Sequence, residues 1–116
     1  MGGGESDLEK LLRSLKPILH PDRYTFAPAS DAALLPDAFA LVREDEGLTV
    51  IRTDPAGEWG RISLGVHSSL EAVGLTAELS RRLAGAGISA NIVAGLRHDH
   101  FFVPWERRKE AKDLLG

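Results

Sequence analysis

The sequence predicts an α+β fold, and three observations predict it. The second half switches between period-two and period-four apolar spacing in the order β-α-β-β-α; the first half reads α-β-β-β; and the second half stops one strand short of a complete β-α-β-β-α-β unit. The missing strand is expected from the first half, most simply from the stretch near Tyr24, so that both halves share one core.

Residues 1–5, with glycine at positions 2 to 4, are expected to form a flexible tail. Ser6 then opens a helix. It stands at an N-cap with Glu9 three residues on as its capping-box partner, and Leu8, Leu11, Leu12 and Leu15 follow as an apolar stripe that Pro17 closes. His20, Pro21 and Asp22 read as a turn, and residues 24–27 (YTFA) as a short strand ended by Pro28. The mixed run 28–37 reads as a loop with one helical turn. Residues 39–43 and 48–53 read as the arms of a hairpin around the acidic tip 44–47, where Gly47 can take a positive φ. The turn-rich stretch 54–60 is the linker candidate, dividing an N-terminal lobe, 6–57, from a C-terminal domain, 58–116.

In 61–67, Ile62, Leu64 and Val66 alternate with Ser63, Gly65 and His67. Leu75, Leu79 and Leu83 then recur every fourth residue with Arg81 and Arg82 off the stripe, so 74–86 is an amphipathic helix ended near Gly85 and Gly87. Residues 88–95 alternate again, 100–104 give a third strand ended by Pro104, and 105–115 form a charged helix with Ala111, Leu114 and Leu115 as its apolar stripe. A strand, a helix and two further strands in this order form the split unit of ferredoxin-like folds.

Composition excludes several classes of function. With Lys+Arg 14 against Asp+Glu 17 and a net charge of −3, the attraction that drives nucleic-acid binding is missing. The absence of cysteine removes disulfides, thiolate nucleophiles and Cys-ligated zinc. No apolar run approaches the roughly 20 residues that span a bilayer, and the N-terminus lacks the basic start and apolar core of a signal peptide, so a cytoplasmic protein is expected. No phosphate-binding loop, dinucleotide fingerprint or nucleophile elbow occurs, so neither catalysis nor a cofactor is expected.

The stretch VGLTAELSRRLAGAGIS resembles the signature of ACT domains, in which a strand leads into a Gly-Leu helix start and a Gly-Ile strand start, here Gly74-Leu75 and Gly87-Ile88. Val73 stands where many ACT domains have proline. HSSLEAVGLTA, GISANIVAG and HDHFFVP together are similar to a family of small stand-alone bacterial proteins with tandem or intertwined ACT-like units, and the N-terminal helix, the YTFA strand and EGLTV match it too. The resemblance implies a ferredoxin-like ACT fold and a non-catalytic regulatory or sensor module. Such modules bind a small molecule, usually an amino acid, where units pair, so it further implies a homodimer and a regulated metabolic enzyme as partner.

The stretch HSSLEAVGLT carries two readings. In one, Ser68 and Glu71 form a capping box, or the serines and Thr76 satisfy the first-turn donors of the following helix. In the other, free N–H groups and the positive helix end hold a ligand carboxylate, the two hydroxyls and Glu71 orient the ligand, and Gly74 lets it approach the backbone. The candidate ligand residues are His67, Ser68, Ser69, Leu70, Glu71, Val73, Gly74 and Leu75, with Asn91 from the next strand. A competing class is an enzyme or metal-binding protein that uses His67, His98 and His100 with Asp99 between them. No metal is expected, because histidines two apart on a strand are common without one and no second short-spaced pair exists. A third reading is a ligand-free interaction module that pairs through a sheet edge or helix face.

Overall fold

The computed structural model describes residues 4–30 and 36–116. Within them the alternating stretches of both halves join a single antiparallel sheet of six strands. The elements are α1 (Leu8–Arg13), β1 (Pro17–Ala29), β2 (Ala38–Glu44), β3 (Gly47–Thr53), β4 (Trp59–Leu64), α2 (Leu75–Gly85), β5 (Asn91–Ala94), β6 (Asp99–Pro104) and α3 (Arg108–Leu115). The sheet order is β2-β3-β1-β4-β6-β5.

The central pair explains this order. β4, α2, β5, β6 and α3 make a ferredoxin-like unit, and β1 supplies its fourth strand through the pairs Pro17↔Leu64, Ile18↔Ser63 and Leu19↔Ile62. Reciprocally, β4 completes the set β1-β3-β2 on the other side. Each half therefore lends its first strand to the other. The end of α3 delivers the chain to the start of β1, since a Cβ on Gly116 would lie 2.6 Å from Pro17 Cδ.

Several elements differ from the sequence expectation. β1 runs through His20, Pro21 and Asp22 without turning, and these three residues bulge opposite Arg61, between Leu19↔Ile62 and Arg23↔Gly60. Proline has no N–H to give the ladder, and a bulge asks for none there. The N-cap of α1 is Asp7, not Ser6, because the Asp7 carboxylate reaches the amides of Glu9 (3.0 Å) and Lys10 (3.3 Å). The hairpin forms as expected, with Asp45 and Glu46 in the turn and Gly47 at φ 141°. β5 is shorter than 88–95, although Ile88 is buried on its approach. In the run 28–37, Pro28 and Ala29 belong to β1, which continues through the proline, and 31–35 lie outside the described residues, as do 1–3 of the expected tail.

The helices pack on one face of the sheet. Leu11, Leu15, Leu75, Leu79, Leu83, Ala111 and Leu115 meet Ile62, Leu64, Phe101 and Val103, each at most 4% exposed. Each of the larger side chains contributes about 1.5–3 kcal/mol on burial. The other face carries no helix among the described residues, yet Phe102 on it is fully buried. The sheet curls to cover it. Phe39 on the edge strand β2 brings its ring within 5.5 Å of Phe102 and 5.0 Å of His100 on β6, where a flat sheet would hold those strands about 19 Å apart.

Candidate functional site

Between β4 and α2 the chain forms the loop that carries most of HSSLEAVGLT. Its start is pinned to the connection before β1, where Gly65 N donates to Lys16 O (2.8 Å) and Val66 N to Leu15 O (3.3 Å). Ser69 then builds a local turn, its hydroxyl accepting from Glu71 N (3.0 Å) and its carbonyl from Ala72 N (3.1 Å). α2 begins beyond this turn, at Leu75. Its N-cap is Gly74 at φ 95°, a left-handed conformation that suits glycine, and no side chain caps it. The capping box of Ser68 and Glu71 therefore does not form, because Glu71 lies before the helix and not in its first turn. No acceptor among the described residues takes the first-turn amides of Leu75, Thr76 and Ala77.

Ser68 turns inward instead. It is 6% exposed, and its hydroxyl donates to Asp99 Oδ2 at 3.2 Å. Asp99 is 7% exposed because it shares the core-facing side of β6 with Phe101 and Val103. Burial raises the Asp99 carboxyl above its ordinary pKa, opposed by the Ser68 bond and the nearby His98. Beside these groups lies a cavity of about 130 Å³ lined by Ser68, Ser69, Leu70, Ala72, Leu75, Thr76, Ala94 and Asp99. It presents a buried carboxylate on one wall and the positive, uncapped end of α2 on another. Such a pair of walls is complementary to a molecule carrying both a cation and an anion.

The sequence candidates are placed unevenly around this cavity. Ser68, Ser69, Leu70 and Leu75 line it. His67, Glu71, Val73 and Gly74 belong to the same loop and flank it; the His67 carbonyl accepts from Glu5 N (2.9 Å), and Gly74 lies against Leu8. Asn91 is on the opposite face of the sheet: it alternates in phase with Val93, which packs on the aromatic cluster of Tyr24 and Phe102, whereas Ala94 reaches the cavity. Asp99 enters the sequence reading only as a metal-type residue. Counting back in twos from Val103 and Phe101 places it on the core face, which is the signal for a buried carboxylate.

The histidines divide. The rings of His67 and His98 lie 6.4 Å apart, and His98 Nδ1 is 3.2 Å from Val66 O. His100 points to the curled face, where its Nδ1 is 2.6 Å from Ser63 Oγ, itself 2.8 Å from His20 Nε2. Arg61 Nη2 lies 3.0 and 3.1 Å from the two ring nitrogens of His20, hence over the ring, and its guanidinium stacks on Phe39 (4.4 Å) and Tyr24 (5.2 Å). Burial first, and then the charge of Arg61, holds His100 down to about 4; His20 is lowered for the same two reasons. Among the described residues no three His, Asp or Glu side chains converge as metal ligands would.

Three larger openings, about 480, 590 and 160 Å³, lie beside the β2–β3 hairpin, between β1 and α3, and around Asp22 and Asp54, but none contains a buried charged group. The smaller cavity has the chemistry.

Two family models, each described as an ACT domain, match the chain in tandem, over residues 3–59 and 58–116. Among solved structures, a Vibrio cholerae protein of unknown function, described as a possible transport protein, is 40% identical over 94% of this chain and 93% of its own, with a TM-score of 0.79. An Agrobacterium tumefaciens protein at 20% identity, over 87% of this chain and 86% of its own, shares the fold with a TM-score of 0.66. No curated protein matches the chain.

Proposed function

Because the chain belongs to the ACT-domain family, whose members are typically regulatory and non-catalytic, we propose that it is a sensor that binds one free amino acid beside α2 and reports it to a partner protein. The observation that carries this reading is the buried Asp99 carboxylate set beside the uncapped first turn of α2, with a cavity of about 130 Å³ at hand. A buried carboxylate without a cation is costly, and the ammonium of an amino acid offsets that cost. Its carboxylate takes the free amides of α2, while the hydroxyls of Ser68, Ser69 and Thr76 add polar contacts.

The size fits. The cavity is well below the roughly 300–1,000 Å³ of drug-sized pockets, which favours a ligand of few heavy atoms. Around it Leu70 and Val73 are 63% and 83% exposed, an apolar rim suited to cover by a second ACT unit, in keeping with a homodimer. Among the described residues no helix is long and apolar enough to cross a membrane. We place it in the cytoplasm, with a metabolite and a regulated metabolic enzyme as its partners; the acidic balance of charge disfavours nucleic acid.

A thermal-shift screen against the twenty proteinogenic amino acids tests the proposal. At 100 times its dissociation constant a bound amino acid adds about 2.7 kcal/mol of stability. Asp99→Asn should remove that gain while leaving the unliganded protein at least as stable, since it deletes a buried charge. An amino acid that stabilises the variant as much as the wild type would sink the assignment.

A further inference from the structure

The proposed site is held from outside by a segment that precedes every helix and strand. Glu5 forms a parallel bridge with Ser68: its N–H donates to His67 O at 2.9 Å, and its carbonyl accepts from Ser69 N at 2.8 Å. Gly4 lies so close to the loop that a Cβ there would stand 2.7 Å from Ser68 C and 2.8 Å from Ser69 N. Both are backbone atoms and cannot swing aside, so a side chain at position 4 and this docking exclude each other.

The other end of the segment is equally fixed. The Glu5 carboxylate accepts from Ser6 N (3.1 Å) and Asp7 N (3.0 Å), Asp7 caps α1, and Leu11 and Leu15 anchor that helix and its exit in the core. Leu8 lies against Gly74, where a Cβ would meet it at 3.3 Å. The segment thus braces the loop at both ends, from His67 to Gly74.

We infer that Gly4 and Glu5 are positioning residues for the proposed amino-acid site, a backbone strap that holds Ser68 against Asp99 and Ser69 at the cavity wall. The inference rests on the amino-acid reading of that site. Neither residue lines the cavity, and the Ser69 amide, being bonded to Glu5, is not a ligand donor; the strap acts through the serines it holds. If a docked strap favours the binding-competent loop, linkage requires that binding favour the docked strap by the same factor.

The test uses the full chain as wild type, Gly4→Val and Glu5→Gln, with a pool of the twenty proteinogenic amino acids as probe. Amide hydrogen exchange reads the strap, and thermal shift and titration with the pool read the site. Wild type should exchange Ser69 slowly. Gly4→Val should exchange it fast and bind the pool about tenfold more weakly, within the usual range of coupling, with an unliganded melting temperature close to wild type because the core is untouched. Glu5→Gln should leave Ser69 exchange slow, since the pairing with the loop is made by backbone and the Gln amide oxygen still accepts from Ser6 N and Asp7 N. If Gly4→Val melts early, removal of residues 1–5 is read in the same way. Unchanged Ser69 exchange, or undiminished binding with that amide exposed, overturns the strap. A wild-type protein that no amino acid in the pool stabilises overturns the amino-acid reading instead.

Discussion

His100 is held well below the ordinary histidine range, and its titration has a definite sign. In the folded chain it is held from 6.5 down to about 4 by burial and by Arg61, His98 and His20. The unfolded chain takes up its proton below the ordinary value and the folded chain only near 4, so the stability present above pH 6.5 is lost as pH falls through that window. His20 acts in the same direction, and Asp99, whose carboxyl is raised, returns part of the loss when it protonates. Allowing for solvent at a partly exposed ring, the His100 share is on the order of 2 kcal/mol. Urea midpoints at neutral pH and about pH 4.5 should show a smaller acid loss for His100→Gln than for wild type; equal losses would show that another group carries the effect. At this scale the sequence is legible where a residue keeps the phase of its strand, as Asp99 does with Phe101 and Val103. It is not legible where a bond joins distant segments, as between Ser68 and Asp99 or His20 and Ser63, because no local pattern records such a meeting.

Among the elements, α1 shows how narrowly local signals decide. Its spacing points to Ser6 as the cap, yet the cap is Asp7, since Glu5 already takes the amides of Ser6 and Asp7 into the strap. A helix of six residues makes few internal hydrogen bonds and depends on its cap and on the burial of Leu11. Asp7→Ala should therefore cost about 1 kcal/mol and Ser6→Ala only a few tenths, measured by chemical denaturation; the reverse order would restore Ser6 as the cap. The β2–β3 hairpin is readable because Gly47 and the acidic tip are local, and α2 because its leucines keep helical period. β1 reads as a short strand because Pro21 and Pro28 look like breakers. In the sheet Pro21 lies in a bulge opposite Arg61, and Pro28 still pairs with Thr49, so neither ends the strand.

For the whole molecule, counting elements is enough to see that the second half lacks a strand, while the curl that brings Phe39 to His100 depends on accumulated twist that no single segment encodes. The central pair should make the two halves fold as one cooperative unit. Without β1, the strand β4 exposes an edge and the core of Ile62 and Leu64 loses its neighbour Leu19; without β4, β1 loses its pairing at Leu19 and Arg23 and the aromatic cluster loses Trp59. Residues 58–116 expressed alone should then melt without a cooperative transition, and so should 1–57. Mixing the two should recover sheet circular dichroism and a single cooperative melt, because every strand then has its partner again. A fragment 58–116 that unfolds cooperatively by itself would show that β1 is an accessory strand and that the second ACT unit closes without it.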